Sequence, residues 1–235
     1  IGKVLSGSVQ IGDKVVAAID TKRRQATARN HTTTHLLQKA LKDILGDHVN
    51  QAGSLVTPER LRFDFTHFSA MTPEQIEAVE DEVNGKILEN LDVSVKEMSI
   101  DEARKLGAMA LFGEKYGETV RVVSAGDYSR ELCGGTHLKS TGETGLIKII
   151  SESGISAGVR RIEALTGFNA IGYYKGRDLL LKEAADAAKA SADFISPTQI
   201  MSGLRGSMAF LRRSKILKRH WKKSIQNLCR VPWIA

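Results

Sequence analysis

Apolar positions along the chain change period several times, and each change marks an element. From Val4 to Ile19 the residues Val4, Leu5, Val9, Ile11, Val15, Val16 and Ile19 are punctuated by Gly7 and Gly12. This is the pattern of short antiparallel strands, read as the last ones of a small barrel. Leu36, Leu37, Ala40, Leu41, Ile44 and Leu45 then recur three and four apart, which predicts a helix capped by Asn30 and stopped by Gly46 in a left-handed conformation. Leu61, Phe63 and Phe65 alternate with Arg62 and Asp64. The alternation predicts a strand with one buried face and a solvated face carrying Arg62 and Asp64, either of which could support a site from behind.

A second helix is announced by Thr72, Pro73 and Gln75, which supply a cap, a first-turn proline and a side chain able to reach back. Ile76, Val79, Val83 and Ile87 line its buried side. Val93 and Val95 predict another strand, and Ser99 with Glu102 predicts a second capping box before a short helix ended by Gly107. Strands are expected at 119–124, 146–150 and 159–165, followed by a long Ala-, Leu-, Lys- and Glu-rich helix over 169–190. The body is therefore expected to be α+β with mostly antiparallel strands and no internal repeat.

Composition changes this picture in one place. The 235 residues carry a net charge of +7, but from Ser191 to Ala235 nine Lys and Arg face the single Asp193, so the excess belongs to the tail and the body is nearly neutral. No apolar run approaches the roughly 18 residues of a membrane span, and no signal-peptide pattern opens the chain. No membrane partner and a cytoplasmic location are the expectations. A start at Ile1, within a strand-rich pattern, reads as an excised piece lacking its preceding domain. The two cysteines, Cys133 and Cys229, differ in setting: Cys133 lies in a motif, whereas Cys229 reads as an ordinary tail thiol.

The candidate chemistry is a metal site. His31 and His35 are four apart, so one helical turn brings both imidazoles to the same face. His-Thr-Thr-Thr-His lacks the Glu that follows the first His of a zinc protease. The second pair comes from Cys133-Gly134-Gly135-Thr136-His137, a thiolate and an imidazole around a turn whose glycines permit positive φ and close backbone approach. Three nitrogens and one sulfur suit zinc, with iron or nickel less common. Four protein ligands normally mark a closed structural site. A pair carried on a helix also suits an open pocket wall, where one ligand or a fifth position leaves room for water or substrate. His48 and His67 read as structural or surface residues.

At these residues the chain resembles the editing domain of bacterial alanyl-tRNA synthetase. The likeness runs through Asn30–Leu37, Gln51–Val56, Leu61–Phe65, Cys133–His137 and Gly158–Ala164, and covers the chain from about Gly2 to Ala190. It implies residues 1–27 as the end of a β-barrel subdomain, 28–168 as a zinc-dependent editing domain, and 169–235 as a helical segment with an atypical basic tail. It implies Zn2+ held by His31, His35, Cys133 and His137. Thr34 and Gln51 match catalytic and substrate-binding positions, Arg160 and Arg161 fall in a catalytic motif, and Gly135 and Thr136 line the substrate.

The implied reaction is hydrolysis of Ser-tRNA(Ala) and Gly-tRNA(Ala), with the alanine-specific tRNA as partner and the rest of the synthetase missing from this chain. No counterpart of the alanine-activating domain is present. Two alternatives stand beside this reading: a zinc-stabilised tRNA-binding module without turnover, and the related editing domain of threonyl-tRNA synthetase. From Ser191 onward the likeness fails, since acids nearly vanish while Trp221, Cys229 and Trp233 appear among basic residues. A reading-frame change or truncation accounts for that, as does an RNA contact through Arg212, Arg213, Lys215, Lys218, Arg219, Lys222 and Lys223.

Overall fold

The computed structural model describes residues 3–109 and 117–188. The expectations for 191–235, including the basic residues, Cys229 and the two tryptophans, lie outside the described residues. The chain divides into a unit over 1–171 and a second over 172–235. Among described residues, no helix is long and apolar enough to cross a membrane.

The first helix, α1, spans Thr21–Leu45. It begins well before Asn30 because Asp20 caps it, the side chain accepting from the Arg23 N–H, and because Lys22, Arg23, Arg24, Gln25 and Ala26 are good helix formers with no breaker among them. Asn30 is therefore not a cap. It is fully buried, donating to the Thr57 carbonyl at 2.7 Å and accepting from the Thr166 hydroxyl at 2.7 Å. Those bonds tie the middle of α1 to two separate parts of the sheet. Gly46 closes the helix with φ +112° and ψ 171°, outside the left-handed helical well.

Two antiparallel sheets follow. The larger has the order β1(Gln51–Val56), β2(Leu61–Thr66), β7(Val159–Thr166), β6(Ile147–Ser156), and the smaller runs β3(Val93–Ser99), β4(Thr119–Ala125), β5(Ser129–Leu132). The remaining helices are α2(Pro73–Leu88), α3(Ile100–Lys105) and α4(Gly167–Ala188). Both expected capping boxes form, Thr72 with Gln75 and Ser99 with Glu102. The α+β class with antiparallel sheets is the observed one.

The main core lies between the larger sheet and the first two helices. Leu36, Leu37, Ala40 and Leu41 of α1 and Val79, Val83 and Ile87 of α2 meet Leu61, Phe63, Phe65, Ile147, Ile149, Ile162 and Ala164. Each fully buried large side chain there contributes about 1.5–3 kcal/mol by burial. A smaller cluster of Ala103, Val120, Val122 and Leu132 serves the second sheet. Asp64 is not on a solvated face: it is 6% exposed, because Arg161 across the β2–β7 ladder holds its carboxylate with two parallel hydrogen bonds of 2.6 and 2.8 Å. Arg62 is partly exposed, as expected.

The strands expected between Val4 and Ile19 do not form. This stretch is irregular, with Ile11 and Val16 fully exposed, and among the described residues no strand pairs with it. Alternation supplies an apolar face, but a strand also needs a ladder partner. In the second unit, α4 continues with Leu179, Leu180 and Leu181 exposed, and the Arg177 guanidinium stands 5.4 Å over the Tyr173 ring.

Replacing Asn30 by Ala leaves the Thr57 carbonyl and the Thr166 hydroxyl without their partner in the core. Urea unfolding of that variant is expected to show a loss of about 1–3 kcal/mol with an unchanged m-value; an unchanged midpoint would mean that these bonds do not hold α1 to the sheet.

Candidate metal centre

His31 and His35 lie one turn apart on α1, and the loop after β5 carries Cys133 and His137 to them. The four candidate ligand atoms all lie within 4.8 Å of one another. The Cys133 sulfur stands 3.4 Å from His31 Nε2 and 3.3 Å from His137 Nε2. A tetrahedral zinc with bonds of about 2.3 Å to sulfur and 2.0–2.1 Å to nitrogen separates S and N by about 3.6 Å. The donor set, and the spacing of the sulfur from His31 and His137, thus fit such an ion. The His31 and His137 ring centroids are 4.2 Å apart, and those of His35 and His137 4.6 Å.

Electrostatics favour the ligating form. Burial, then the neighbouring His31, lowers the His35 pKa to about 3. Burial also pushes His137 down, followed by His35, His31 and Arg121. His31 is lowered mainly by burial, against the opposing effect of the Thr136 backbone. All three imidazoles are consequently neutral at neutral pH, with a lone pair to offer.

The loop is shaped by contacts that its own sequence does not announce. Arg121 on β4 donates from Nη1 to the carbonyls of Cys133 at 2.8 Å and Gly135 at 2.6 Å, fixing the loop between its two candidate ligands. Neither glycine takes the positive φ that its lack of a side chain permits. What position 135 needs is space: a Cβ there would fall 1.9 Å from His31 Cε1, whereas one at Gly134 would meet nothing within 4 Å. Behind His35 lies Glu131, its Oε2 3.6 Å from His35 Nε2. Burial pushes the Glu131 carboxyl up to about 8, with the Ser129 hydroxyl opposing.

The remaining expected site residues are placed as follows. Thr34 is buried beside His35 and donates to the His31 carbonyl at 2.7 Å, a bond back along its own helix to the residue three earlier. Gln51 begins β1 opposite Phe65 and is partly buried. Arg160 spends Nε and Nη2 on Glu152 of β6 at 2.5 and 2.8 Å, as Arg161 does on Asp64. Both arginines therefore cross-link neighbouring strands. His48 and His67 form a separate surface pair, Nε2 to Nδ1 2.8 Å, stacked with the exposed Phe68. Thr32, Arg121 and Glu131 were not among the sequence candidates. Thr32 sits inside the His-Thr-Thr-Thr-His run and was within reach of a helical-wheel argument; Arg121 carries no local signal.

Residues 120–163, which include the Cys133–His137 loop and both arginines, match the family described as the threonyl and alanyl tRNA synthetase second additional domain. The chain is 65% identical over 189 residues to the alanine-tRNA ligase of Acetivibrio thermocellus, covering 80% of this chain and 22% of that protein. It is 58% identical over 190 residues to the alanine-tRNA ligase of Pelotomaculum thermopropionicum, covering 81% and 22%. It is also 53% identical over 217 residues to the alanine-tRNA ligase of Desulforamulus reducens, covering 92% and 24%. The chain thus spans less than a quarter of the length of these curated relatives. Together the matches support an alanyl-tRNA synthetase editing-domain fragment.

The two glycines give a paired test. Titrated with Zn2+ against a chelator, the native chain and Gly134→Ala are expected to bind one ion each, and Gly135→Ala at least about tenfold more weakly, as expected when a ligand is displaced. Equal affinities for all three would contradict the close approach at His31.

Proposed function

We propose that this chain is a zinc-dependent deacylase that clears serine and glycine from wrongly charged alanine-specific tRNA. The observation that carries the reading is the meeting of two ligand pairs, about a hundred residues apart in sequence, within 4.8 Å, on a chain matching alanine-tRNA ligases over most of its length. An ion held by His31, His35, Cys133 and His137 would supply Lewis acidity, polarising an ester carbonyl or making water a better nucleophile at neutral pH. An aminoacyl ester is already activated, so the protein needs to hold it, orient water and choose among side chains. No nucleophilic triad is required.

In this reading the 28–168 region is the editing domain. Gly135 and Thr136 lie between the two loop residues of the centre, and Thr34, next to His35 on the helix, is assigned to the pocket on the family resemblance. The Thr34 hydroxyl proton goes to the His31 carbonyl, while its oxygen keeps lone-pair capacity for a serine hydroxyl. Glycine lacks that hydroxyl and is taken by size and by its amino group. Gln51 enters as a pocket residue, and Arg160 and Arg161 as catalytic residues, on the family resemblance alone; their carboxylate bonds give them a strand-linking task as well. A second reading, a zinc-stabilised tRNA-binding module without turnover, is favoured by one feature, a donor set that already supplies four protein ligands.

The test is release of serine and of alanine from charged alanine-specific tRNA by the zinc-loaded chain. Serine release is expected to be much the faster. Thr34→Val should narrow the serine-to-alanine ratio by about tenfold, the equivalent of one lost hydrogen bond, with its zinc content unchanged. Tight tRNA binding with no release of either amino acid would select the second reading. An unaltered ratio in the zinc-loaded Thr34→Val variant would remove Thr34 from the selectivity.

A further inference from the structure

Thr32 faces neither the core nor solvent. One residue after His31, it is rotated by about 100° around α1 from that ligand, so it reaches the centre from the side. It is 2% exposed. Its Oγ1 accepts the Leu138 N–H at 3.1 Å and lies 3.2 Å from His137 Nδ1. The opposite nitrogen of that ring, Nε2, faces the Cys133 sulfur at 3.3 Å. A single hydroxyl oxygen on the helix thus touches both the ligand His137 and the backbone of the next residue on the loop.

A neutral imidazole carries one proton, and a ligating nitrogen must be the one without it. With Nε2 turned toward the other ligands, the proton belongs on Nδ1, where the Thr32 oxygen can receive it. That oxygen has two lone pairs, enough for the Nδ1–H and the Leu138 N–H together. Hydrogen bonds of this kind to the distal nitrogen of a ligating histidine set its tautomer and ring orientation.

We propose that Thr32 is a positioning residue of the metal centre, whose hydroxyl oxygen fixes His137 as an Nε2 ligand and anchors the 133–137 loop to α1. The proposal rests on the metal-centre reading and adds to it a residue outside the ligand set. Serine keeps the hydroxyl and valine keeps the shape, so the two substitutions separate chemistry from packing.

The experiment measures Zn2+ affinity by chelator competition for the native chain, Thr32→Val and Thr32→Ser, together with nitrogen-15 NMR of the histidine rings in the zinc-loaded native chain. The expected result is a 10- to 100-fold weaker affinity for Thr32→Val, an affinity within about threefold of native for Thr32→Ser, and a His137 ring protonated at Nδ1. Native affinity in Thr32→Val, or a His137 ring bound to the ion through Nδ1, would overturn the proposal while leaving the metal centre standing. Failure of the native chain itself to bind zinc would overturn both. Should Thr32→Val fail to fold, the His137 ring spectrum and the Thr32→Ser affinity decide alone.

Discussion

The backbone at Gly135 passes so close to the His31 imidazole that no side chain fits between them, a Cβ there falling 1.9 Å from the ring. The candidate centre depends on this approach. It lets a loop and a helix interlock, so that a sulfur and an imidazole from the loop reach two imidazoles on α1. Arg121 holds the loop by two of its carbonyls, and Thr32 receives the Leu138 N–H at its far end. The site is thus a joint between two parts of the chain, and metal affinity and loop position should behave as one property.

The helix in that joint serves several masters. Leu36, Leu37, Ala40 and Leu41 bury one stretch of α1 against the larger sheet, while Asn30 ties its middle to Thr57 and Thr166. His31 and His35 are thereby presented from a rigid element whose position the main core sets. Rigid support of this kind is what keeps a ligand set within tight geometric tolerance. Desolvation of the same region lowers all three imidazole pKa values, so packing and ligand readiness come from one cause.

Features governed by neighbours in sequence were legible before the structure. The capping boxes at Thr72 and Ser99, the buried alternation of Leu61, Phe63 and Phe65, and the pairing of two ligand motifs all rest on spacing alone. Features governed by distant partners were not. Asn30 has the chemistry of a cap but spends it on the sheet, and Asp64 looks solvated until Arg161 is placed beside it. β1, with Gly53 and Ser54, and β5, with two charged residues in four, lack the apolar alternation that marks a strand; both owe their existence to the ladders they join. Val4–Ile19 errs the other way, having the pattern without a partner. At the site the four side chains that gather within 4.8 Å were readable, whereas Thr32 and Arg121 meet the loop through tertiary contacts.

The central claim is that one ion is shared by three imidazoles of α1 and the loop and by the Cys133 thiolate. X-ray absorption at the zinc edge of the zinc-loaded chain measures this directly. The account predicts one sulfur scatterer at about 2.3 Å and three nitrogen scatterers at about 2.0–2.1 Å, with the sulfur shell lost in Cys133→Ala. A spectrum with no sulfur shell in the native chain, or one unchanged by removing Cys133, would contradict it.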